Sequence, residues 1–87
     1  MTLAKKIALV IGNSAYSEGR LANPTNDADL IASTLGDVGF KVMLRKDIKT
    51  AYKMKEIINV FTKKLKKSDI AVVYYAGHGV QYFNILS

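Results

Sequence analysis

The sequence predicts a single α/β domain of 87 residues, built on a mainly parallel β-sheet with helices on both faces. Two apolar runs carry this prediction, Ile7–Gly12 near the start of the chain and Ile70–Ala76 near its end. Neither run alternates with polar residues, which is typical of strands buried on both faces, and such strands belong to parallel sheets covered by helices. Two amphipathic segments lie between the runs, so the expected order of elements is βαβαβ.

A loop, a helix and a second strand are expected after the first strand. The stretch Asn13–Thr25 contains the only proline and is predicted to be a long loop, and loops of that length are often functional. The helix should begin near Asn26, a good N-cap residue, and end at Gly39 as a glycine C-cap. Phe40–Arg45 then alternates enough to form a strand with one less protected face, which places it at the sheet edge. The apolar stripe of this helix comprises Ala28, Ile31, Ala32, Leu35 and Val38.

A lysine-rich second helix is predicted between its cap, Thr50, and the turn at Ser68-Asp69. Its apolar residues recur at helical spacing, so its lysines should face solvent. No arginine cluster or exposed aromatic row accompanies them, so the net charge of +6 predicts weak attraction to acidic partners and no specific nucleic-acid binding. The apolar set is Ala51, Met54, Ile57, Ile58, Phe61 and Leu65, and the lysines are Lys49, Lys53, Lys55, Lys63, Lys64, Lys66 and Lys67.

The most informative residue is His78, the only histidine, which stands between two glycines just after the last predicted strand. With helices on opposite faces the strand order is 2-1-3, and ligands bind such sheets at the carboxyl ends of the strands. That edge brings Gly12–Ser14 next to Gly77–Gly79. Ser14 is a candidate nucleophile for His78, but it lacks a Gly-x-Ser-x-Gly setting, so loop capping is its favoured role. The segment Gly12–Gly19 matches no nucleotide-binding motif.

Composition narrows the remaining classes of function. The chain has no cysteine and one histidine, which removes disulfides and thiolate zinc sites, and we expect no metal and no cofactor. No apolar run reaches the roughly 18 residues that a membrane span requires. Residues 1–11 lack the apolar core and cleavage site of a signal peptide, so a cytoplasmic location and no membrane partner are expected.

Several stretches, in this order and with this spacing, resemble the first half of a prokaryotic caspase-like domain, a group related to metacaspases and caspases among the cysteine peptidases. They extend from Lys5 to Gln81, nearly the whole chain, so the predicted domain covers residues 1–87. The resemblance implies a doubly wound caspase sheet truncated to its βαβαβ core. The stretches are Lys6–Tyr16, Leu21–Ala28, Gly39-Phe40 and Tyr74–Gln81.

The resemblance also implies roles for individual residues. His78 corresponds to the catalytic histidine, which takes the proton from a cysteine thiol and returns it to the leaving amine. The amide of Gly79 corresponds to an oxyanion-hole donor. Arg20 lies one residue out of register with the substrate-binding arginine of caspases that cleave after aspartate. The family's nucleophilic cysteine follows a later strand and is absent from these 87 residues, so we expect the chain to be inactive by itself.

Two functions are compatible with this sequence. The chain is either part of a caspase-like cysteine endopeptidase whose cysteine comes from elsewhere, or a non-catalytic interaction module that binds a peptide or protein. A long apolar edge strand without proline or lysine is a template for another chain, which makes Ile70–Ala76 a dimer contact. We therefore expect a twofold homodimer through this strand or through exchange of the tail Val80–Leu86, which is apolar enough to form a short strand or to fold back.

Overall fold

The computed structural model describes residues 5–13, 24–66, 69–77 and 80–86, of which Pro24, Thr25 and the last strand are described for their backbone alone. The described strands form one sheet in the order β2-β1-β3-β4. β1 pairs in parallel with both β2 and β3, and β4 is antiparallel to β3. The predicted α/β fold with the parallel order 2-1-3 is confirmed. The elements are β1 (Lys6–Asn13), α1 (Pro24–Asp37), β2 (Lys41–Lys46), α2 (Ala51–Lys63), β3 (Ile70–Gly77) and β4 (Val80–Leu86).

The central strand, β1, is buried on both faces, as its apolar run predicts. Leu9 and Ile11 belong to a core cluster that also contains Phe61 of α2, whereas Val10 packs in a second cluster with Ala28 of α1. Successive side chains of a strand point to opposite faces of the sheet. The two helices therefore cover opposite faces, which is the arrangement that the order 2-1-3 requires.

The start of α1 differs from the prediction, while its end agrees with it. The helix begins at Pro24, two residues before Asn26, because proline at the first helical position has no N–H to leave unpaired and already has a helical φ. At the other end, the Gly39 N–H donates to Gly36 O and the Phe40 N–H donates to Leu35 O, at 3.1 and 2.9 Å. With Gly39 at φ +99°, these bonds form a Schellman C-cap.

The lysine-rich helix, α2, begins and packs largely as predicted. The Thr50 side chain accepts a hydrogen bond from the Lys53 N–H at 3.1 Å, which confirms the cap. Phe61 is the buried anchor of the helix, with 1% of its surface exposed. Ile58 is 42% exposed, so the buried stripe is narrower than the sequence pattern predicts. Ala51 and Val38, also assigned to apolar stripes, are exposed.

The edge of β3 is covered by β4 of the same chain. Gly77 pairs with Val80 and Ala71 with Leu86, so the predicted tail strand folds back along the whole of β3. The backbone groups of β3 are therefore paired on both sides, and a dimer contact on this strand would require β4 to be displaced or exchanged. Neither helix of the described ranges is long and apolar enough to cross a membrane.

A buried carboxylate, Asp69, fixes the entry to β3. It accepts hydrogen bonds from the N–H groups of Lys66 and Lys5, at 2.9 and 3.2 Å. The bond from Lys66 is the main cause that lowers the pKa of Asp69 below its ordinary value, with the bond and charge of Lys5 adding to it, while burial opposes the shift. Asp69 thus joins the end of the α2 segment to the start of β1.

Acidification is expected to destabilise the fold through Asp69. Because its pKa is depressed in the folded state, the carboxylate's contribution is present above the ordinary aspartate pKa of about 3.9 and is lost as the pH falls through the folded value. Urea unfolding of the native chain and of Asp69→Asn should therefore show a stability difference that shrinks below about pH 4. A difference that stays constant across that range would contradict this assignment.

Candidate active site at the carboxyl edge of the sheet

The candidate site lies where β1 and β3 end side by side. The parallel register pairs Asn13, the last residue of β1, with Gly77, the last residue of β3. The sequence predicts that the end of the first strand, at Gly12-Asn13, lies next to the end of the third strand, at Gly77, and the structure places them so. Gly77 also pairs with Val80, so only two residues, His78 and Gly79, connect β3 to β4. His78, Gly79, Ser14 and Arg20 lie outside the described residues, and the structure gives the positions that flank them.

Asn13 has a structural role at this edge that the sequence analysis missed. Its amide Nδ2 donates to the Ile48 carbonyl at 3.1 Å, and its Oδ1 accepts from the Ile48 N–H at 2.7 Å. The Asp47 N–H also donates to the Gly12 carbonyl at 2.9 Å, and Asp47 has a φ of +55°. The Asn13 side chain is buried, so these bonds tie the connection after β2 to the end of β1. We call the two bonds between the Asn13 side chain and the Ile48 backbone the Asn13 clamp. In the sequence, an asparagine directly after Gly12 at a strand end is only a weak signal for it.

Gly77 is closely packed against Tyr75 and Asn13. A Cβ atom at this position would lie 2.8 Å from the Tyr75 hydroxyl oxygen and 3.0 Å from the Asn13 carbonyl oxygen. The first contact is shorter than real Cβ atoms show, so a side chain here would have to displace the Tyr75 ring and press on the Asn13 backbone, which favours glycine. The backbone next to His78 is therefore fixed against the end of β1.

Replacing Gly77 with alanine is expected to lower the free energy of unfolding by about 1 to 3 kcal/mol, the usual cost of overpacking. Part of this loss comes from the movable Tyr75 ring, so Tyr75→Phe in the same chain should restore some of it. The contact with the Asn13 backbone remains and should keep the double variant below Tyr75→Phe alone. Urea unfolding of the four proteins measures both effects, and an alanine variant as stable as the native chain would show that the strand ends are not in contact.

Two ionisable side chains near this edge, Lys46 and Tyr74, have defined surroundings. Lys46, at the end of β2, forms a salt bridge with Asp29 of α1, with 2.6 Å between Nζ and Oδ1. Burial raises the pKa of the Tyr74 phenol, and the charge of Asp27 raises it further. Tyr74 therefore stays protonated at neutral pH and is unsuited to act as a base. In the described ranges, no three His, Cys, Asp or Glu side chains come together in a way that could hold a metal ion.

These observations define a class of structure. It is an α/β sheet in the order 2-1-3, in which a Gly-His-Gly segment connects the carboxyl edge to an antiparallel fourth strand. Residues 5–85 match the sequence profile of the caspase domain. The chain belongs to this family, as the resemblance implies.

Two curated relatives support the assignment. The chain is 39% identical over 83 residues to the mucosa-associated lymphoid tissue lymphoma translocation protein 1 of Homo sapiens, and 39% identical over 83 residues to its homolog in Mus musculus. Each alignment covers 93% of this chain and 10% of the relative, so the chain spans a tenth of their length. No solved structure matches the chain.

Proposed function

We propose that this chain supplies the histidine side of a caspase-like cysteine-peptidase site. The observation that carries the proposal is the register of β1 with β3, which brings Asn13 beside Gly77, the residue that precedes His78. His78 would remove the proton from a cysteine thiol and later protonate the leaving amine, a pairing that requires nucleophile and base within hydrogen-bond reach. The Gly79 N–H would stabilise the developing oxyanion, and Arg20 would contact the substrate.

The nucleophile must come from outside these 87 residues, because they contain no cysteine. It would be supplied by sequence that continues the reading frame or by a second polypeptide. On this proposal the 87-residue chain binds and orients but does not cleave. The only histidine of the sequence is then half of a site that is completed elsewhere.

To test this proposal, the reading frame beyond the Ser87 codon is determined and its full product is expressed. A product with a cysteine after a further strand should hydrolyse peptides, and His78→Ala should abolish turnover. Lys55→Gln, an exposed change on α2, should leave turnover unchanged and serves as the control. Turnover that persists in His78→Ala would overturn the proposal.

A second candidate function is a non-catalytic homodimeric module in which β4, which pairs with β3 of its own chain here, is exchanged between two chains. The resemblance places a fourth strand beside β3, and here that edge is occupied by the antiparallel β4. The sheet is thus completed within the chain, or between two chains if β4 is exchanged.

Light scattering coupled to size-exclusion chromatography across a dilution series tests the dimer. Exchange of β4 predicts a dimer that persists on dilution, because each protomer then keeps the β3–β4 pairing with its partner. Val72→Lys or Val73→Lys within β3 should reduce dimer formation. A folded monomer at high concentration in the unmodified chain would exclude this function.

A further inference from the structure

The amino end of β1, most of β2 and the end of the α2 segment enclose an open groove of about 920 Å³. This volume lies within the range of clefts that bind ligands. Its β1 residues lie at the opposite end of the strand from Asn13, and its lining shares no residue with the proposed peptidase site. Its apolar lining is Ile7, Val42 and Met43, and Gly39 completes it.

Among the described residues, the rest of the lining is cationic. None of the groove residues is acidic, and together they contain seven of the chain's 13 lysines and arginines. Three separate segments contribute them, and the sequence analysis had grouped only those of α2. The cations are Lys5 and Lys6 at the start of β1, Lys41 and Arg45 of β2, and Lys63, Lys64 and Lys66 at the end of α2.

Ordinary structural roles explain only part of this cluster. Lysines in the last turn of a helix suit its dipole, which accounts for Lys63 and Lys64. Charges on an edge strand discourage unwanted pairing, which accounts for Lys41 and Arg45. Neither role requires the cations of the two elements to face one cleft, where like charges repel each other and build a strong positive potential.

Within the described ranges, the groove cations form no salt bridge. Lys46 and Lys53, which lie outside the groove, each form a salt bridge with a carboxylate, whereas none of the seven groove cations does. The oxygens of the buried Asp69 accept hydrogen bonds from the backbone N–H groups of Lys66 and Lys5, and these bonds, helped by the charges of the two lysines, lower the pKa of Asp69. Arg45 donates to the Leu44 carbonyl, a neutral acceptor. One buried carboxylate beside seven cations leaves the groove with excess positive charge.

We propose that this groove binds an acidic peptide segment of a partner protein whose carboxylates alternate with apolar side chains. The carboxylates would contact the lysine rim, and the apolar side chains would contact Val42, the half-buried apolar residue of the lining, because Ile7 and Met43 belong to the core and are only 8% and 9% exposed. Nucleic acid fits less well, because the lining has no aromatic side chain for base stacking and only one arginine.

The test measures fluorescence anisotropy of a labelled peptide of alternating glutamate and leucine, titrated with the 87-residue chain at fixed low ionic strength. The groove variant is Lys63→Gln with Lys64→Gln, and the matched control is Lys53→Gln with Lys55→Gln, which removes the same charge from the same helix outside the groove. Loss of two ion pairs should weaken binding about tenfold in the groove variant and less than about twofold in the control. Lys41→Gln with Arg45→Gln should repeat the groove effect from the sheet side.

Circular dichroism of each variant verifies folding, and three outcomes would overturn the proposal. Equal weakening by groove and control variants would show a general charge effect. Undiminished binding of a peptide with serine in place of leucine would show that the apolar lining is not used. Tighter binding of a single-stranded oligonucleotide of equal charge, lost in the same groove variants, would assign the surface to nucleic acid.

Discussion

Truncation of Phe61 to alanine is expected to lower the free energy of unfolding by about 3 to 5 kcal/mol. The side chain is 1% exposed and fills the core cluster between α2 and the central strand, against residues such as Leu9 and Ile11. The change removes transfer free energy and leaves a cavity that the sheet cannot close. Small domains have only about 5 to 15 kcal/mol of stability, so the variant should lie near its unfolding threshold.

Val60→Ala is the matched control for Phe61→Ala. Val60 is the preceding residue of the same helix and is 50% exposed, so its truncation should change stability by less than about 0.5 kcal/mol. Urea unfolding followed by circular dichroism measures both variants. A loss below about 1 kcal/mol in Phe61→Ala would show that α2 does not pack on this face of the sheet.

Replacement of Asn13 by alanine should cost about 2 to 4 kcal/mol, because it removes both hydrogen bonds to the Ile48 backbone. Ile48 is 9% exposed, so its N–H and carbonyl would be left buried without these partners. Unsatisfied buried groups carry a desolvation penalty, which exceeds the net value of the bonds themselves. The loss should be accompanied by faster hydrogen exchange of the Ile48 amide.

Asn59→Ala supplies the control for Asn13, since Asn59 is an exposed asparagine of α2. It should leave both stability and the exchange of the Ile48 amide unchanged. If the Ile48 amide exchanges no faster in Asn13→Ala than in Asn59→Ala, the Asn13 clamp between β1 and the connection after β2 is not formed.

The sheet could be predicted because its signals are local. The unbroken run Ile7–Gly12 indicated a strand buried on both faces, and the two helical stripes supplied the crossovers that set the order 2-1-3. The start of α1 was misplaced because Asn26 is a strong cap signal, while Pro24 is favoured at the first helical position for a different reason. Local patterns therefore predict the type and order of the elements more accurately than the residues at which they begin and end.

Features that join distant parts of the chain were not predicted. The Asn13 clamp connects residues 35 positions apart, and no spacing rule relates Asn13 to a backbone group at Ile48. The basic groove combines β1, β2 and the α2 segment, so a segment-by-segment reading of charge places only the lysines of the α2 segment on a solvated face and does not reveal the groove. The tail strand was recognised from its apolar residues, but whether it folds back or exchanges depends on pairing rather than on composition.

The most direct test of the central claim is the initial rate of peptide hydrolysis by the repurified 87-residue chain and by His78→Ala. The substrates carry aspartate, arginine or lysine before the cleaved bond and are assayed with and without calcium. If His78 is one half of a site that needs a cysteine from elsewhere, both proteins should give rates equal to buffer. Hydrolysis by the native chain that disappears in His78→Ala would contradict the account and would make Ser14 the candidate nucleophile.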